Sequence, residues 1–252
     1  MRFASLGSGS RGNALVVEAG DTRLLVDCGF GPREFARRLA RIGFVPGDLD
    51  AILVTHEHSD HLGGVARCAA RHSLDVFLTH GTLAAARLDG VAAEVFDSHS
   101  RFVVGDMEVQ PFPVPHDARE PVQFVFSDGN RRLGILTDAG FVTAHMLEML
   151  SGCDGLVLEC NHDAALLAGG DYPGHLKRRI AGRLGHLDND AAAGLLRQVG
   201  ATSLQHVVAA HLSQQNNTPA LARAALAEAM GCAPEWIAVA DQDNGFGWLE
   251  LA

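Results

Sequence analysis

The run Thr55-His56-Glu57-His58-Ser59-Asp60-His61 packs three imidazoles and the Asp60 carboxylate into six residues, straight after the apolar Ala51-Ile52-Leu53-Val54. Neutral imidazole and carboxylate are the ligands that suit zinc, manganese and iron. At the end of a buried strand, such groups are hard to satisfy without a metal. The run is not the helical H-E-x-x-H pattern of metalloproteases, because Asp60 stands where that pattern needs its second His. The ligands are therefore expected to alternate along an extended loop. A polar, His-rich surface loop is the plain alternative, and the density of ligand types weighs heavily against it.

Four further groups stand where an apolar run stops, which is where a rigid scaffold carries a site. Asp27 ends Arg23-Leu24-Leu25-Val26, Asp138 follows Leu133 to Thr137, His211 ends His206-Val207-Val208-Ala209-Ala210, and His116 follows Pro111-Phe112-Pro113-Val114-Pro115. Alone, each reads as a turn or cap residue; beside the opening cluster they gain a shared role. His80 and His99 compete with His116, whereas His72, His145, His175 and His206 read as surface or packing residues.

These groups need a frame of strands and covering helices. Strand patterns fall at 2–6, 14–18, 23–27, 51–55, 75–79, 101–104, 107–112, 122–127 and 132–137, and again near 156–160, 206–210, 236–240 and 246–251. Ser127-Asp128-Gly129-Asn130 has hairpin-turn chemistry. Helical patterns fall at about 32–42, 62–71, 143–150, 174–183, 190–199 and 219–230, the last framed by Thr218, Pro219 and Gly231. Helices placed to cover sheet faces imply a layered α/β arrangement. With no repeat or linker, residues 1–252 read as a single domain.

Composition narrows the classes. There are 252 residues, 47% of them hydrophobic, and no long apolar run, so neither a transmembrane helix nor a signal peptide is expected. Five irregularly spaced cysteines fit reduced thiols in a cytoplasm, with Cys28, Cys153 and Cys160 as core fillers. A formal net charge of -10 argues against a general nucleic-acid-binding surface, although bound cations would offset part of it. Arg33, Arg37, Arg38 and Arg41 read as a solvated helix face.

In order along the chain, Asp27, His56-x-His58-x-Asp60-His61, His116, Asp138 and His211 resemble the motifs of metallo-β-lactamase-fold hydrolases over nearly the whole length. The resemblance implies a four-layer αββα sandwich with two divalent metal ions, Zn²⁺ or Mn²⁺. It implies one ion held by His56, His58 and His116, and a second by Asp60, His61 and His211. Asp138 would bridge them, and Asp27 would orient a ligand from behind. Paired ions activate a water and clamp the attacking and leaving oxygens. His58, where the di-iron oxidoreductase branch carries Glu, favours hydrolysis.

Further stretches point to the bond attacked. His211-Leu212-Ser213, and Glu159-Cys160-Asn161-His162-Asp163 followed by Gly185-His186-Leu187, are similar to motifs of the RNase Z-like phosphodiesterases. That likeness gives His186 the role of protonating the leaving oxygen and Glu159 that of orienting it, with His162 as a rival for His186. Lys177, Arg178, Arg179 and Arg183 precede His186 and offer cations to a phosphodiester, unless they form only an outer helix face. The loop Gly7-Ser8-Gly9-Ser10-Arg11-Gly12-Asn13 presents Ser8, Ser10 and Asn13 as candidate phosphate donors, or is a plain hairpin turn.

Scattered matches, among them Tyr172-Pro173-Gly174 and His211 through Asn217, make the whole chain similar to the YycJ/VicX (WalJ) group of small bacterial members. The group implies a two-metal phosphodiester hydrolase acting on nucleic-acid ends, DNA rather than RNA, as a 5′-to-3′ exonuclease. Asp188 departs from the Ser more common in the group. The segment between Asp138 and His211 leaves no room for an inserted nucleic-acid-clamping domain or a long tRNA-gripping arm. The alternative is a small-molecule hydrolase of the same fold, acting on a thioester, lactone or cyclic phosphodiester. Oligomeric state is left open.

Overall fold

The computed structural model describes residues 1–88, 90–200 and 203–252. One sheet is built from β1 (Arg2–Gly7), β2 (Ala14–Ala19), β3 (Thr22–Val26), β4 (Ala51–Leu53), β5 (Asp75–Thr79) and β6 (Ala93–Phe96). The other contains β7 (Phe102–Val104), β8 (Met107–Pro113), β9 (Val122–Ser127), β10 (Arg132–Leu136), β11 (Gly155–Glu159), β12 (His206–Ala210) and β13 (Ala238–Val239). β14 (Phe246–Glu250) returns to pair with β1, so the orders are β14-β1-β2-β3-β4-β5-β6 and β13-β12-β11-β10-β9-β8-β7. In each sheet an antiparallel half passes into a parallel one, at β3–β4 and at β10–β11.

Period-two patterning divides these strands among three apolar layers. Val17, Leu24, Leu133, Ile135, Val157 and Val208 meet in the core between the sheets. Their neighbours Val16 and Leu25 face outward onto α1 (Pro32–Ala40), through Phe35 and Leu39, and onto α3 (Val65–His72), through Val65, Cys68 and Ala69. On the far side Leu156, Leu158, Val207 and Ala209 meet α5 (Ala144–Leu150), α8 (Asn189–Val199) and α9 (Pro219–Met230). The result is the expected αββα sandwich.

Local chemistry explains the helix limits. Thr218 caps α9 by accepting from the Leu221 amide, Pro219 takes the first position, and Gly231 ends it at φ +66°. Asp188 caps α8 by accepting from the Ala191 amide, a task Ser performs as well, so the departure from Ser is chemically neutral there. β6, α4 (His80–Ala85) and α6 (Ala164–Gly169) were not legible as elements, and the expected helix at 62–71 begins only at Val65.

Arg33, Arg37 and Arg41 are exposed, as expected of a solvated helix face, but Arg38 is not. Arg38 is buried, lies over the Phe30 ring, and donates through Nη1 to the Leu6 and Gln242 carbonyls. Arg41 also donates to Leu6. Carbonyls at the end of β1 lack ladder partners, and these guanidinium groups supply them.

The expected extended loop at 55–61 is also corrected. The chain is extended only to His58, which caps a single helical turn, α2 (Ser59–Leu62), bearing Asp60 and His61. That turn is pinned by backbone bonds: the Asn13 amide donates to Asp60, that of Cys28 to His61, and that of Gly64 to Cys28. Gly29 lies against the Asp60 carbonyl with no room for a Cβ. Gly29→Ala should therefore lower the melting temperature and displace Asp60; a variant with the wild-type melting temperature and metal affinity would contradict this packing account.

Candidate metal centre

The chemistry-bearing side chains gather at one edge. Asp27, the Thr55–His61 turn, His116, Asp138, Glu159 and His211 all lie at or just beyond the carboxyl ends of strands, β3, β4, β8, β10, β11 and β12 respectively. Crevices at these ends are the usual ligand sites of parallel sheets. Asp27, Asp138 and His211 adopt positive φ, at 60°, 74° and 54°. Such left-handed turns cost Asp and His about a kcal/mol or more, and they persist where surrounding structure fixes them.

Two groups of donors face each other. His56 Nε2 and His116 Nε2 lie 3.0 and 3.2 Å from His58 Nδ1. Two nitrogens bound to one tetrahedral ion at about 2.0–2.1 Å would sit roughly 3.3 Å apart, so this triad is spaced to share a cation. Asp60 Oδ2 lies 3.5 Å from both His61 Nε2 and His211 Nε2. Asp138 stands between the groups, 3.2 Å from His61 Nε2, 3.6 Å from His211 Nε2 and 3.9 Å from His116 Nε2.

Partners behind the rings fix their tautomers. Asp27 accepts from His61 Nδ1 at 2.7 Å and from the Thr55 amide and hydroxyl. With its proton given to Asp27, the Thr55 hydroxyl accepts from His56 Nδ1 at 3.0 Å. The Gly185 carbonyl accepts from His116 Nδ1. The Nε2 atoms of His56, His61 and His116 therefore face the crevice. Buried Asp138 Oδ2 and His211 Nε2 make no hydrogen bond. Such orphans are costly without a ligand, and together with the donor set they fit divalent metal.

The electrostatics agree. Burial opposes charge on His211, yet Asp138, Asp60 and Glu159 outweigh it and push the ring up to about 10. Burial likewise opposes His61, and Asp138 and Asp27 raise it regardless. Asp60 and Asp138 are held below the usual carboxylate range: burial works against this, and the neighbouring histidines prevail. His56 and His116 are lowered, chiefly by burial, and remain neutral donors. One half of the site demands positive charge and the other offers neutral lone pairs.

Glu159 is fully buried. Oε1 accepts from His186 Nδ1 at 2.7 Å and lies 3.5 Å from His211 Nδ1, while Oε2 accepts from the Ala139 and Leu187 amides. His186 lines a cavity of about 360 Å³ together with His58, Asp60, Asp138 and His211. His162, the rival, is buried outside that lining, and His80 and His99 are exposed away from it.

The candidate phosphate donors divide. Ser10 and Arg179 line the cavity. Ser8 instead accepts from the His211 amide, fixing a strand end. Asn13 is buried, accepts from the Gly9 amide and reaches back to the Asp60 carbonyl. Lys177 donates to the Ala168 carbonyl, Arg183 lies over the Phe141 ring, and Arg178 is exposed outside the cavity lining. Sequence order does not tell which face of a short helix meets the site. Thr55, Asp117 and Tyr172 were missed; of these, Thr55 was readable as the hydroxyl preceding the His cluster.

A family model described as the Beta-lactamase superfamily domain matches residues 22–211. The chain is 35% identical over 229 residues to "Exodeoxyribonuclease WalJ" of Streptococcus pneumoniae serotype 2, covering 88% of this chain and 85% of that protein. It is 35% identical over 252 residues to "Exodeoxyribonuclease YycJ" of Bacillus anthracis, covering 98% and 91%. In structure it is similar to the metallo-beta-lactamase fold protein YhfI from Bacillus subtilis, at TM-score 0.76 and 16% identity over 99% of both chains. The chain belongs to the β-lactamase superfamily, in the metallo-β-lactamase fold, and within it to the family of the WalJ and YycJ proteins.

Because Asp27 is the nearest partner behind His61, at 2.7 Å from Nδ1, Asp27→Ala should weaken zinc or manganese binding about 10- to 100-fold, as loss of such an outer partner does. Titration of the apo-protein against a competing chelator measures it. An unchanged affinity would show that His61 needs no such anchor.

Proposed function

We propose that the protein is a two-metal phosphodiesterase that degrades DNA from its ends. The observation that carries this is Asp138, a buried carboxylate shared between two donor groups, with the His186–Glu159 pair beside it on one cavity. The names of the two family relatives support an exodeoxyribonuclease reading. The 5′-to-3′ direction is the one implied by the sequence resemblance.

In this reading His56, His58 and His116 would hold one divalent ion and Asp60, His61 and His211 another, with Asp138 placed to contribute to both. Paired ions lower the pKa of water and stabilise charge on a phosphoryl group. Zinc and manganese are both served by these donors.

The chain's own residues supply the rest. Glu159 binds His186 through Nδ1, which turns Nε2 toward the cavity. From Nε2 the imidazolium gives a proton to the 3′-oxygen of the departing nucleotide, which would otherwise leave as an alkoxide. Arg179, held at 2.7 Å by Asp117, offers its remaining N–H groups to a non-bridging oxygen. Glu159 touches neither substrate nor solvent and acts by positioning.

No helix among the described residues is long and apolar enough to cross a membrane. We place the protein in the cytoplasm, where its five free cysteines stay reduced.

Metal-loaded protein assayed on end-labelled single- and double-stranded DNA, beside a thioester and bis-p-nitrophenyl phosphate, tests the reading. Terminal mononucleotide release is expected, and turnover of the small esters alone would sink it. His186→Ala should keep its metal content and slow DNA cleavage about 100-fold or more, the usual loss of a general acid. Loss of metal instead would make His186 a ligand.

A further inference from the structure

α7 (Gly174–Ile180) buries none of its residues fully, although it follows Tyr172 and carries Leu176 and Ile180. Leu176 and Ile180, spaced by four, share one face of it, and Tyr172 stands just before its N-cap Pro173. Tyr172, Leu176 and Ile180 all line the cavity that holds His186 and Asp138, with Arg179 on the same wall. Tyr172 is the chain's one tyrosine. The helix therefore turns its apolar stripe toward a charged cleft and not toward the core. Its cations Lys177 and Arg178 point elsewhere: Lys177 is tied to the Ala168 carbonyl and Arg178 is exposed. Hydrolysis of a bare phosphate ester gives no use to an apolar wall, and exposing one to water is unfavourable.

We infer that this wall, Tyr172 with Leu176 and Ile180, is the subsite for the base of the terminal nucleotide. The inference rests on the phosphodiesterase reading above. An occupant must present an anion to Arg179 and a flat apolar surface to the stripe one helical turn away, and a nucleotide has both. Asp117 holds the Arg179 guanidinium in place at 2.7 Å, so the phosphate contact and the Leu176–Ile180 part of the apolar wall are set by the same short helix, with Tyr172 just ahead of it. An aromatic face accepts any base, because every base has a π-face. Tyr172 is thus a specificity residue, selecting nucleotide ends over phosphodiesters without a base.

The test compares two end-labelled oligonucleotides, identical except that one carries a tetrahydrofuran abasic residue at the terminal position. Wild-type enzyme should show a KM about tenfold or more lower for the base-bearing end, the size of one base–aromatic contact. Tyr172→Ala should raise the KM of the normal end to that of the abasic end, abolishing the difference between them. Tyr172→Phe should restore the difference. Leu176→Ser, a second lesion in the stripe, should reduce the discrimination even if Tyr172→Ala folds poorly. Equal KM values for both ends with wild type, or full discrimination kept by Tyr172→Ala, would overturn the subsite while leaving the nuclease reading intact. A wild-type enzyme inert on both oligonucleotides but active on small esters would overturn the nuclease reading and the subsite with it.

Discussion

Asp138 sits at 2% exposure with the ring nitrogens of His61, His211 and His116 within 3.9 Å, and buried Glu159 and half-buried Asp60 complete a cluster of carboxylates. Gathering like charges away from water is expensive unless cations join them. Much of the architecture follows from accommodating that cluster. The parallel halves of both sheets end at it, three side chains hold left-handed backbone turns around it, and Asp27, Thr55 and Gly185 fix ring orientations behind it.

The packed layers supply the rigidity this needs. Val17, Leu24, Ile135 and Val208 lock the two sheets face to face, so the strand ends that carry Asp27, Asp138 and His211 are held in one relation. Arg38 and Ser8 extend the support: one satisfies the carbonyl of Leu6 at the end of β1, the other the amide of His211. Neither residue lines the cavity, yet Arg38 ties α1 to the end of β1, and Ser8 ties the following loop to His211.

Much of this was legible in the sequence, for a physical reason. A strand buried on both faces reads as an apolar run, and a carboxylate or imidazole at its end stands out against it; hence Asp27, Asp138 and His211 could be found singly. The spacing to Asp138 favours His116 over His80 and His99, and His116 is the one of the three that lies beside His58 and Asp138. Direction was the harder property. Ser8 and Asn13 look like phosphate donors in a glycine-rich loop, but their hydrogen bonds go inward to His211 and Asp60. Of the basic run, only Arg179 turns to the cavity, because α7 shows one narrow face to it. The helical turn at Ser59–Leu62 was likewise hidden, being set by backbone bonds to Asn13 and Cys28 and not by local propensity.

A net charge of -10 remains consistent with an end-degrading nuclease if affinity comes from a single terminal nucleotide and not from a long basic track. The central claim is the pairing of donor groups around Asp138. Anomalous diffraction from crystals loaded with zinc or manganese, recorded on both sides of the metal edge, tests it directly. The account predicts two peaks per chain, one among His56, His58 and His116 and one among Asp60, His61 and His211, with Asp138 touching both. A single peak, or one with His186 among its ligands, would contradict it.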